Sequence, residues 1–482
     1  MTESKTPFRV VIIGSGVTGL VASNCLQIAG IDHVVLEKRD DVAPPEGASI
    51  GMYPHGARVL HQIGALKGVL AACTATDRWF YRGAEGEMLM NNGFFRHVEK
   101  NFGVGYILLE RREFLQILYD SLPDKSYIKT GCGVKEVKHV GDQIQVTLHN
   151  GQVETGDIVL GCDGAHSTVR SVMWEHANKI TPGLITSKEK ANYRTDWKAV
   201  IGVAPQMPGL GVQDMTSVSD KGRTFIAFSQ ADRIYFFFIF RVDKPYTWPA
   251  RPSSKDADRD ALVESVADHP ISDTLLFGEL WKKRIRGELL YLEDGVYEHW
   301  HSGRIVLTGD AVHKFTPNMG FGGNCGIEST AVLCNHLNRL LREGKGRKPS
   351  QEQLTEIFEL YQNRQVPRMK EISELCRLVT KVQAWETPYH KFVDTWVFPM
   401  QSDKELANQL TEIIRRGAKL DYVDDAGFGP GTVTWIDHES ATVASGSPIA
   451  SRLVRLVGAG AAILAVLQGV RFFTFASASV TS

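Results

Sequence analysis

The sequence GSGVTG near the N-terminus has the glycine spacing that binds the phosphates of a dinucleotide. Gly14 permits a tight turn, Gly16 lets a pyrophosphate approach the backbone, and Gly19 allows close packing of a helix on a strand. Val17 opens that helix, whose first N–H groups and dipole favour an anion. Glu37 follows at the distance where a carboxylate can accept a hydrogen bond from a ribose hydroxyl. These residues predict a dinucleotide site without distinguishing a flavin from a nicotinamide.

Two further motifs follow strand-like segments. GCDGAHSTVR contains Asp163 and, by itself, is equally consistent with a plain loop. In GDAVHKFTP, Asp310 ends a buried strand, where an acid can bind a ribityl hydroxyl. The run PNMGFGGN comes next, contains Gly323 and leads into a helix, so its amides can face a pyrophosphate or a reduced, anionic flavin. His313 lies beside this motif, and we expect a supporting role for it and no proton transfer.

The elements that must position these residues can be read from hydrophobic patterns. A β-branched run at 8–14, a helix at 17–29 and a second strand at 31–37 predict a βαβ unit. Shorter buried strands are predicted at 157–161 and 304–307, directly before the second and third motifs. The sequence therefore places all of the glycine-rich segments at the ends of parallel strands.

The middle of the chain has a different pattern of apolar and polar residues. Segments 224–229 and 234–242 predict adjacent antiparallel strands around a polar turn. The second of these carries Tyr235 in an aromatic run, which is either the wall of an apolar substrate pocket or simply sheet core. Tyr193, Arg194 and Tyr235 are the polar candidates for a substrate site, and Tyr235 and Arg194 are the predicted catalytic residues. The alternative for Arg194 is a surface ion pair.

Helical patterns dominate 351–416, where Tyr361, Arg364 and Arg368 have the spacing to clamp one helix face onto the core. A small, polar stretch then predicts a flexible linker. After the linker, fifteen residues (456–470) lie between Arg455 and Arg471 without a charge. We predict a membrane helix there, and the alternative is a terminal helix packed on the main body.

Composition excludes several classes of protein. The 482 residues carry a formal net charge of −1, so no basic excess indicates nucleic acid. Seven scattered cysteines without a CxxC pair argue against a disulfide framework and a structural zinc site, and no metal ligands are predicted. The polar N-terminus and the absence of any N-x-S/T sequence indicate a catalytic part that stays in the cytosol.

GxGxxG, GCDGAHSTVR and GDAVHKFTP, in this order, resemble the single-component (group A) flavoprotein monooxygenases. The resemblance covers about 8–385 and implies an α/β fold of the aromatic-hydroxylase type, with a Rossmann-like FAD-binding domain and an antiparallel sheet for the substrate. The runs PNMGFGGNCGIES and LLERREFLQILYD are most similar to fungal prenyl epoxidases of the paxilline type, which serve indole-diterpene and meroterpenoid pathways. Ser329 departs from this pattern, which leads us to expect an acid there.

The resemblance also assigns cofactor residues. It implies that Glu37, Gly51 and Arg111 contact FAD near its adenosine part. It further implies that Asp310 and Gly323 contact the ribityl–pyrophosphate and isoalloxazine side. Asp163 would support the flavin site and the passage of NADPH, for which the chain has no second GxGxxG pattern. The predicted domains are an FAD-binding domain (1–186 and 301–385), a substrate sheet (187–300), a helical region (386–438), a linker (439–451) and a membrane helix (452–476).

The implied reaction is oxygenation, in which NADPH reduces FAD and the reduced flavin activates O2 while the protein excludes water. The preferred interpretation is epoxidation of a prenyl, farnesyl-like chain on a lipophilic intermediate, at the endoplasmic reticulum membrane and before a separate terpene cyclase. An isolated alkene needs no base, whereas hydroxylation of a phenol gains from one. The alternatives are an aromatic-ring hydroxylase of the same fold and a flavin-binding protein that does not oxygenate.

Overall fold

The computed structural model describes residues 7–439 except 46, 251, 253 and 254. Its strands are β1 Arg9–Ile13, β2 Asp32–Leu36, β3 Ser49–Met52, β4 Arg78–Arg82, β5 Met88–Asn92, β6 Ile107–Glu110, β7 Ile128–Lys129, β8 Val134–Val140, β9 Gln143–Leu148, β10 Val153–Gly156, β11 Ile158–Gly161, β12 Arg194–Pro205, β13 Asp214–Asp220, β14 Arg223–Ser229, β15 Arg233–Thr247, β16 Arg286–Val296, β17 His301–Ser302, β18 Ile305–Leu307 and β19 His313–Lys314. Its helices are α1 Val17–Ile28, α2 Pro54–Gln62, α3 Leu66–Ala72, α4 Phe94–Phe102, α5 Arg111–Asp120, α6 Thr168–Ile180, α7 Ser187–Lys190, α8 Asp256–Glu264, α9 Phe277–Lys282, α10 Phe321–Glu343, α11 Gln351–Gln383, α12 Pro388–Phe392 and α13 Asp403–Ile414.

The first sheet has six strands in the order β17-β18-β11-β1-β2-β7. β1 pairs in parallel with β2 and β11, and β11 pairs in parallel with β18. The apolar run of β1 is buried because α1, α6 and a separate three-stranded sheet (β10-β9-β8) pack against this parallel sheet. The predicted βαβ unit and the short strands before the second and third motifs are confirmed, and all three motifs meet at one edge of this sheet.

The second sheet has eight strands in the order β19-β16-β12-β15-β14-β13-β4-β5. β14 and β15 form the predicted antiparallel hairpin, with Phe225 opposite Phe238. Two strands come from outside the predicted substrate segment, since β4 and β5 extend the sheet beyond β13. The sheet is therefore assembled from distant parts of the chain, and one of its faces packs on α8 and α9.

Long helices join the two sheets. The Tyr361 hydroxyl on α11 donates to the Leu307 carbonyl at 3.1 Å. Arg368, two turns on, donates twice to the buried Glu328 carboxylate of α10, at 2.6 and 2.9 Å. The first contact holds α11 on the first sheet and the second holds it on α10, so Tyr361 and Arg368 fix this helix to the core as their spacing predicted.

The C-terminal part of the described chain packs on α4 and α2. α13 lies against α4, and the buried Arg58 of α2 donates to Asp425 and Asp437. In the part of the chain that the structure describes, none of the helices is long and apolar enough to cross a bilayer. The predicted membrane helix at 452–476 and nearly all of its linker lie outside the described residues.

Candidate functional site

The turn after β1 is fixed by close backbone contacts. Gly14 has a φ of +99°, and a Cβ atom there would stand 2.7 Å from the Cys162 carbonyl oxygen. A Cβ at Gly19 would stand 1.9 Å from the Gly14 carbonyl oxygen. Only glycine fits these two positions, because side chains would push α1 away from the sheet.

Gly16 has the opposite surroundings. It precedes α1 with an ordinary extended φ of −66°, and no atom lies within 4 Å of where its Cβ would be. No side chain caps the first N–H groups of α1. Next to this open space the buried Glu37 carboxylate accepts hydrogen bonds from the Ser15 N–H at 2.8 Å and the Ser15 hydroxyl at 3.0 Å. The turn thus offers an anion site beside an acceptor for hydroxyl groups.

Asp163, in the second motif, caps the start of α6. The Asp163 carboxylate accepts hydrogen bonds from the Ser167 hydroxyl at 2.5 Å and from the N–H groups of Thr168 and Val169 at 2.7 and 3.1 Å. These bonds satisfy N–H groups that would otherwise lack a partner at the start of the helix. Asp163 therefore positions the motif at the sheet edge, and its contribution to NADPH passage stays a prediction.

Arg170, at the end of the same motif, joins it to the third. Its fully buried guanidinium donates to the carbonyls of Ala165 and Ala311, both at 2.8 Å. Four aromatic rings surround this cation at 4.8–5.3 Å: Trp174, Tyr193, Trp248 and Tyr297. Sequence reasoning missed this contact, although an arginine at a fixed place in the motif was the available signal.

The third motif brings a small set of charged groups together. Asp310, whose side chain is 44% exposed, lies 3.9 Å from the Lys314 ammonium group, which also donates to Glu293 at 3.0 Å. Burial raises the pKa of the Asp310 carboxyl, although the positive charges of Lys314 and of Arg111, at the first turn of α5, oppose this effect. Burial lowers the pKa of the Lys314 ammonium, but the charges of Glu293 and Asp310 outweigh it and raise that pKa. The predicted cofactor residues Arg111 and Asp310 thus lie within reach of each other.

His313 has the supporting role that was expected. It is buried, and its Nε2 atom lies 3.0 Å from the Ser329 hydroxyl. Its ring stacks on Phe315. Burial lowers the pKa of His313 to about 3, so the ring stays neutral at ordinary pH. Ser329, which replaces the expected acid, is therefore the partner of a neutral histidine.

A cavity of about 200 Å³, here called the glycine-lined cavity, lies between the second sheet and the segments that contain β3 and the start of α10. Gly51, Gly320, Gly322 and Gly323 form one wall. The opposite wall comes from the second sheet, and the main residues of both walls besides the glycines are Tyr53, Tyr106, Ile226, Phe228, Phe237, Ile239 and Phe315. Gly51 is thus grouped with Gly323, whereas Glu37 is not among the lining residues.

Asn324, in the first turn of α10, holds these glycine segments together. Its Nδ2 group donates to the carbonyls of Gly51 and Gly320 at 2.9 Å each, and its Oδ1 atom accepts from the Tyr53 N–H at 2.8 Å. A Cβ at Gly51 would stand 1.8 Å from the Tyr106 hydroxyl oxygen, so this approach requires glycine. The side chain of Asn324 was present in the predicted motif without a predicted role.

A second cavity, of about 150 Å³, here called the apolar chamber, adjoins the first. Five residues line both: Tyr53, Phe95, Met215, Asn318 and Met319. The rest of its apolar wall comes from β4, α4, α11, the segment 393–398 and α13, namely Trp79, Tyr81, Phe94, Leu375, Leu378, Val379, Val382, Val393, Val397, Phe398, Leu406, Leu410 and Ile413. No sequence pattern had indicated this chamber.

Asp394 carries the one carboxyl group among the described residues that line the chamber. It is fully buried, the Tyr81 hydroxyl and the Trp385 N–H donate to it, and the second of these bonds is 2.8 Å long. Desolvation raises the pKa of Asp394 to about 6, although the hydrogen bonds from both donors oppose this effect. Tyr81 also bonds Ser219 at 2.9 Å, so this acid ties the chamber wall to the second sheet.

Neither of the two predicted catalytic residues is among the described lining residues of the two cavities. Tyr235 is buried in β15 and is not among the described lining residues, whereas Phe237, two positions on, lines the glycine-lined cavity. Arg194 is 54% exposed and pairs with Asp196 at 2.8 Å. Tyr235 shares its face of β15 with Phe237 and lies opposite the lining residue Phe228, so its catalytic role stays a prediction. Arg194 forms the surface ion pair that was given as its alternative.

Tyr193, the third polar candidate, is buried and donates its hydroxyl to the Asp310 carbonyl at 2.9 Å. The aromatic run of β15 divides between the two faces of the sheet. Phe236, Phe238 and Phe240 belong to the core under α8 and α9, so most of the run is sheet core, as one of the two interpretations held.

The site fits FAD on geometric grounds. Open space at Gly16 and at Gly322, the uncapped starts of α1 and α10, and the half-exposed Asp310 leave a continuous set of donors and acceptors for phosphates and hydroxyl groups. Gly51, Gly320 and Gly323 would let a flat ring system approach the backbone beside the apolar chamber. A bound flavin would supply the redox chemistry and the activation of O2.

Comparisons with known proteins agree with this geometry. A family profile described as an FAD binding domain matches residues 7–349. The FAD-dependent monooxygenase DEP2 of Alternaria brassicicola is 38% identical over 427 residues, covering 88% of this chain and 81% of that protein. The FAD-dependent monooxygenase atmM of Aspergillus flavus is 32% identical over 441 residues, covering 89% of this chain and 90% of that protein.

Among solved structures, Klebsiella pneumoniae HpxO complexed with FAD and uric acid superposes with a TM-score of 0.69 at 19% identity. It covers 84% of this chain and 96% of that one, which establishes the shared fold. The site and its relatives define an FAD-dependent monooxygenase, and the cofactor is FAD. The chain belongs to the FAD binding domain family of these flavoproteins.

Proposed function

We propose that the enzyme epoxidises a double bond of a prenyl, farnesyl-like chain on a lipophilic intermediate, with NADPH as the reductant. The observation that carries the proposal is the apolar chamber next to the glycine-lined cavity, with five residues common to both linings. A long hydrocarbon chain can lie in such a chamber with one end at the flavin, and its burial stabilises the complex.

The chemistry of the chamber also favours an alkene over a phenol. Among the described lining residues, Asp394 is the only carboxylate or basic side chain, and it is fully buried with two donors already bonded to it. A phenol would gain from an accessible base, whereas a trisubstituted alkene reacts with an electrophilic oxygen donor without one. The residues around the cavity then have two tasks, to orient the chain and to exclude water.

The cellular setting belongs to the same proposal. The single GxGxxG pattern is used for FAD, so NADPH binds transiently near the flavin. A tail anchor at 452–476 would hold the enzyme at the endoplasmic reticulum membrane with its catalytic part in the cytosol, where a lipophilic substrate concentrates. A separate terpene cyclase would then open the epoxide.

The test is NADPH consumption and product mass spectrometry with purified full-length enzyme and a farnesylated phenolic acid ester. We expect a gain of one oxygen, and acid hydrolysis of the product to a diol on the prenyl chain. The matched control is the same ester with a saturated chain, which should yield hydrogen peroxide and no oxygenated product. Oxygen on the ring with the chain untouched would instead establish an aromatic hydroxylase, and peroxide with both esters would reject this substrate class.

A further inference from the structure

The segment 393–400 has apolar side chains on both of its faces. Val393, Val397 and Phe398 line the apolar chamber. Trp396 and Met400 face solvent, with 65% and 86% of their surfaces exposed. One thin stretch of chain therefore separates the chamber from an exposed apolar surface, here called the outer patch (Trp396 and Met400).

Single exposed apolar residues are ordinary on protein surfaces, but the outer patch differs in its place and composition. All nine tryptophans of the chain lie among the described residues, and eight are buried or half-buried, so Trp396 alone is exposed. A large side chain such as Trp in water leaves apolar area exposed that an interaction could bury. A surface that carries both side chains over a hydrophobic chamber is typical of an interaction site.

The chamber reaches the protein surface beside this patch. Gln401 and Gln409 line the chamber and are half-buried, and the Gln409 side-chain amide donates to the side-chain Oε1 atom of Gln401 at 2.9 Å. This bond joins the end of the segment to α13. Leu378 and Val379 of α11 also line the chamber while remaining partly exposed. The lining of the chamber is therefore partly exposed at Gln401, which follows Met400, and along α11.

The described chain ends beside the far end of α13, one helix length from the residue that follows the outer patch. α13 starts two residues after Gln401, and at its other end Arg415 pairs with Glu439, the last described residue. The twelve residues of α13 span about 18 Å. Residues 440–451 can extend at most about 40 Å, so the segment predicted to enter a membrane can do so beside the outer patch.

The charges around the segment are mixed. Lys391 and Lys404 are exposed on either side of it. Of the nearby acids, Asp403 accepts a hydrogen bond from the Gly93 N–H and Glu405 caps α13 through Ser402. The two ammonium groups suit the anionic headgroups of a lipid surface better than an apolar protein partner.

We propose that the outer patch inserts into the interfacial layer of a bilayer and that the apolar chamber opens towards the lipid. Tryptophan prefers this layer because its ring is apolar and its N–H group is polar, and the methionine side chain adds apolar area. A prenylated substrate would then pass from the membrane into the chamber beside Met400. The proposal rests on the proposed function in taking the substrate to be lipophilic.

The first test is tryptophan fluorescence of the full-length enzyme on phosphatidylcholine–phosphatidylserine vesicles with acyl chains brominated near the headgroup. The chain beyond residue 439 has no tryptophan, so quenching reports the body of the enzyme and not its tail. We expect quenching of the wild type and its loss in Trp396→Phe. Equal quenching in both proteins, or none in either, would overturn the proposal.

The second test compares turnover of a farnesylated substrate held in vesicles with turnover in detergent micelles. Trp396→Ser with Met400→Ser should lower kcat/KM about fivefold in vesicles and leave it unchanged in micelles. The matched control is Ile180→Ser with Ile285→Ser, since these side chains are 65% and 66% exposed and do not line the chamber. Equal loss in both double variants rejects the entrance. If the wild type leaves the prenyl chain intact in both media, the proposed function fails while the quenching result still decides the membrane contact.

Discussion

The glycine-lined cavity and the apolar chamber share five residues, yet their walls are built in different ways. One wall of the glycine-lined cavity is formed by glycines, and the turn after β1 is likewise held by close backbone contacts at Gly14 and Gly19. The wall of the chamber is mostly side chains that come from five separate elements. The cofactor side therefore depends on positions where a Cβ atom has no room, and the chamber depends on the volume of each side chain.

This difference predicts a large effect for Gly19→Ala. The new Cβ would stand 1.9 Å from the Gly14 carbonyl oxygen, which is backbone and cannot move aside. We expect a loss of more than about 4 kcal/mol in the free energy of unfolding, and protein without bound flavin. Flavin absorbance per protein and thermal denaturation would measure both.

Gly16→Ala is the matched control in the same turn. No atom lies within 4 Å of its Cβ position, and its φ of −66° suits alanine. The apoprotein should keep its stability within about 0.5 kcal/mol while FAD affinity falls at least about tenfold, because the methyl group would stand where the pyrophosphate approaches. Normal FAD affinity in this variant would contradict the position assigned to the cofactor.

Arg170→Met tests a contact in which one side chain joins the second and third motifs. The substitution keeps much of the volume but leaves the buried carbonyls of Ala165 and Ala311 without their donor. We expect a loss of about 3 kcal/mol in stability together with weaker FAD binding. Urea denaturation and flavin titration would show these changes.

Arg194→Met is the control for the loss of an arginine. Arg194 is 54% exposed and its partner Asp196 is on the same strand, so stability should change by less than about 0.5 kcal/mol and turnover should stay the same. A large fall in kcat with intact flavin content would instead support the catalytic role that the sequence suggested.

The two regions also differ in how far the sequence could predict them. The βαβ unit and the strands before each motif are local patterns, and the resemblance in the motifs gave the fold and the cofactor. Gly51 was harder, because its neighbour Gly323 lies far along the chain and only the folded protein brings them to one cavity. The apolar chamber could not be predicted from the sequence, since each of the helices that line it shows only an ordinary apolar face.

The aromatic run of β15 shows the same limit on a smaller scale. Side chains alternate between the two faces of a strand, so a shift of one residue decides which of them meet the cavity. Phe237 lines the glycine-lined cavity, whereas Phe236 and Phe238 are in the core beneath α8 and α9. Composition identified the strand, but its register depends on the whole sheet.

Val379→Phe should affect the chamber and spare the cofactor side. Val379 is a half-buried lining residue of α11, and a larger side chain there would occupy the space of the prenyl chain. We expect kcat/KM for the farnesylated ester to fall about tenfold with unchanged flavin content. Val366→Phe, on the same helix but outside the lining residues, should leave turnover unchanged, and equal losses in both variants would mean that the effect is not on the chamber.

The smallest expected effect concerns pH. When pH changes, the stability that His313 contributes and the stability that Asp394 contributes should change in opposite directions. Burial lowers the pKa of His313 to about 3 and raises that of Asp394 to about 6. The unfolded chain binds the histidine proton first, so the stability that neutral His313 provides is lost as pH falls below about 6.5. The stability that protonated Asp394 provides is present near pH 4 and is lost as pH rises through about 6.

Denaturation of His313→Gln and Asp394→Asn between pH 4 and 6.5 should therefore change the pH dependence in opposite directions. Relative to the wild type, the first variant gains stability towards low pH and the second gains it towards high pH. Each slope is at most about 1.4 kcal/mol per pH unit, because one proton separates the folded and unfolded states. Parallel slopes in both variants would contradict the view that the cofactor side buries a neutral base while the chamber wall buries a neutral acid.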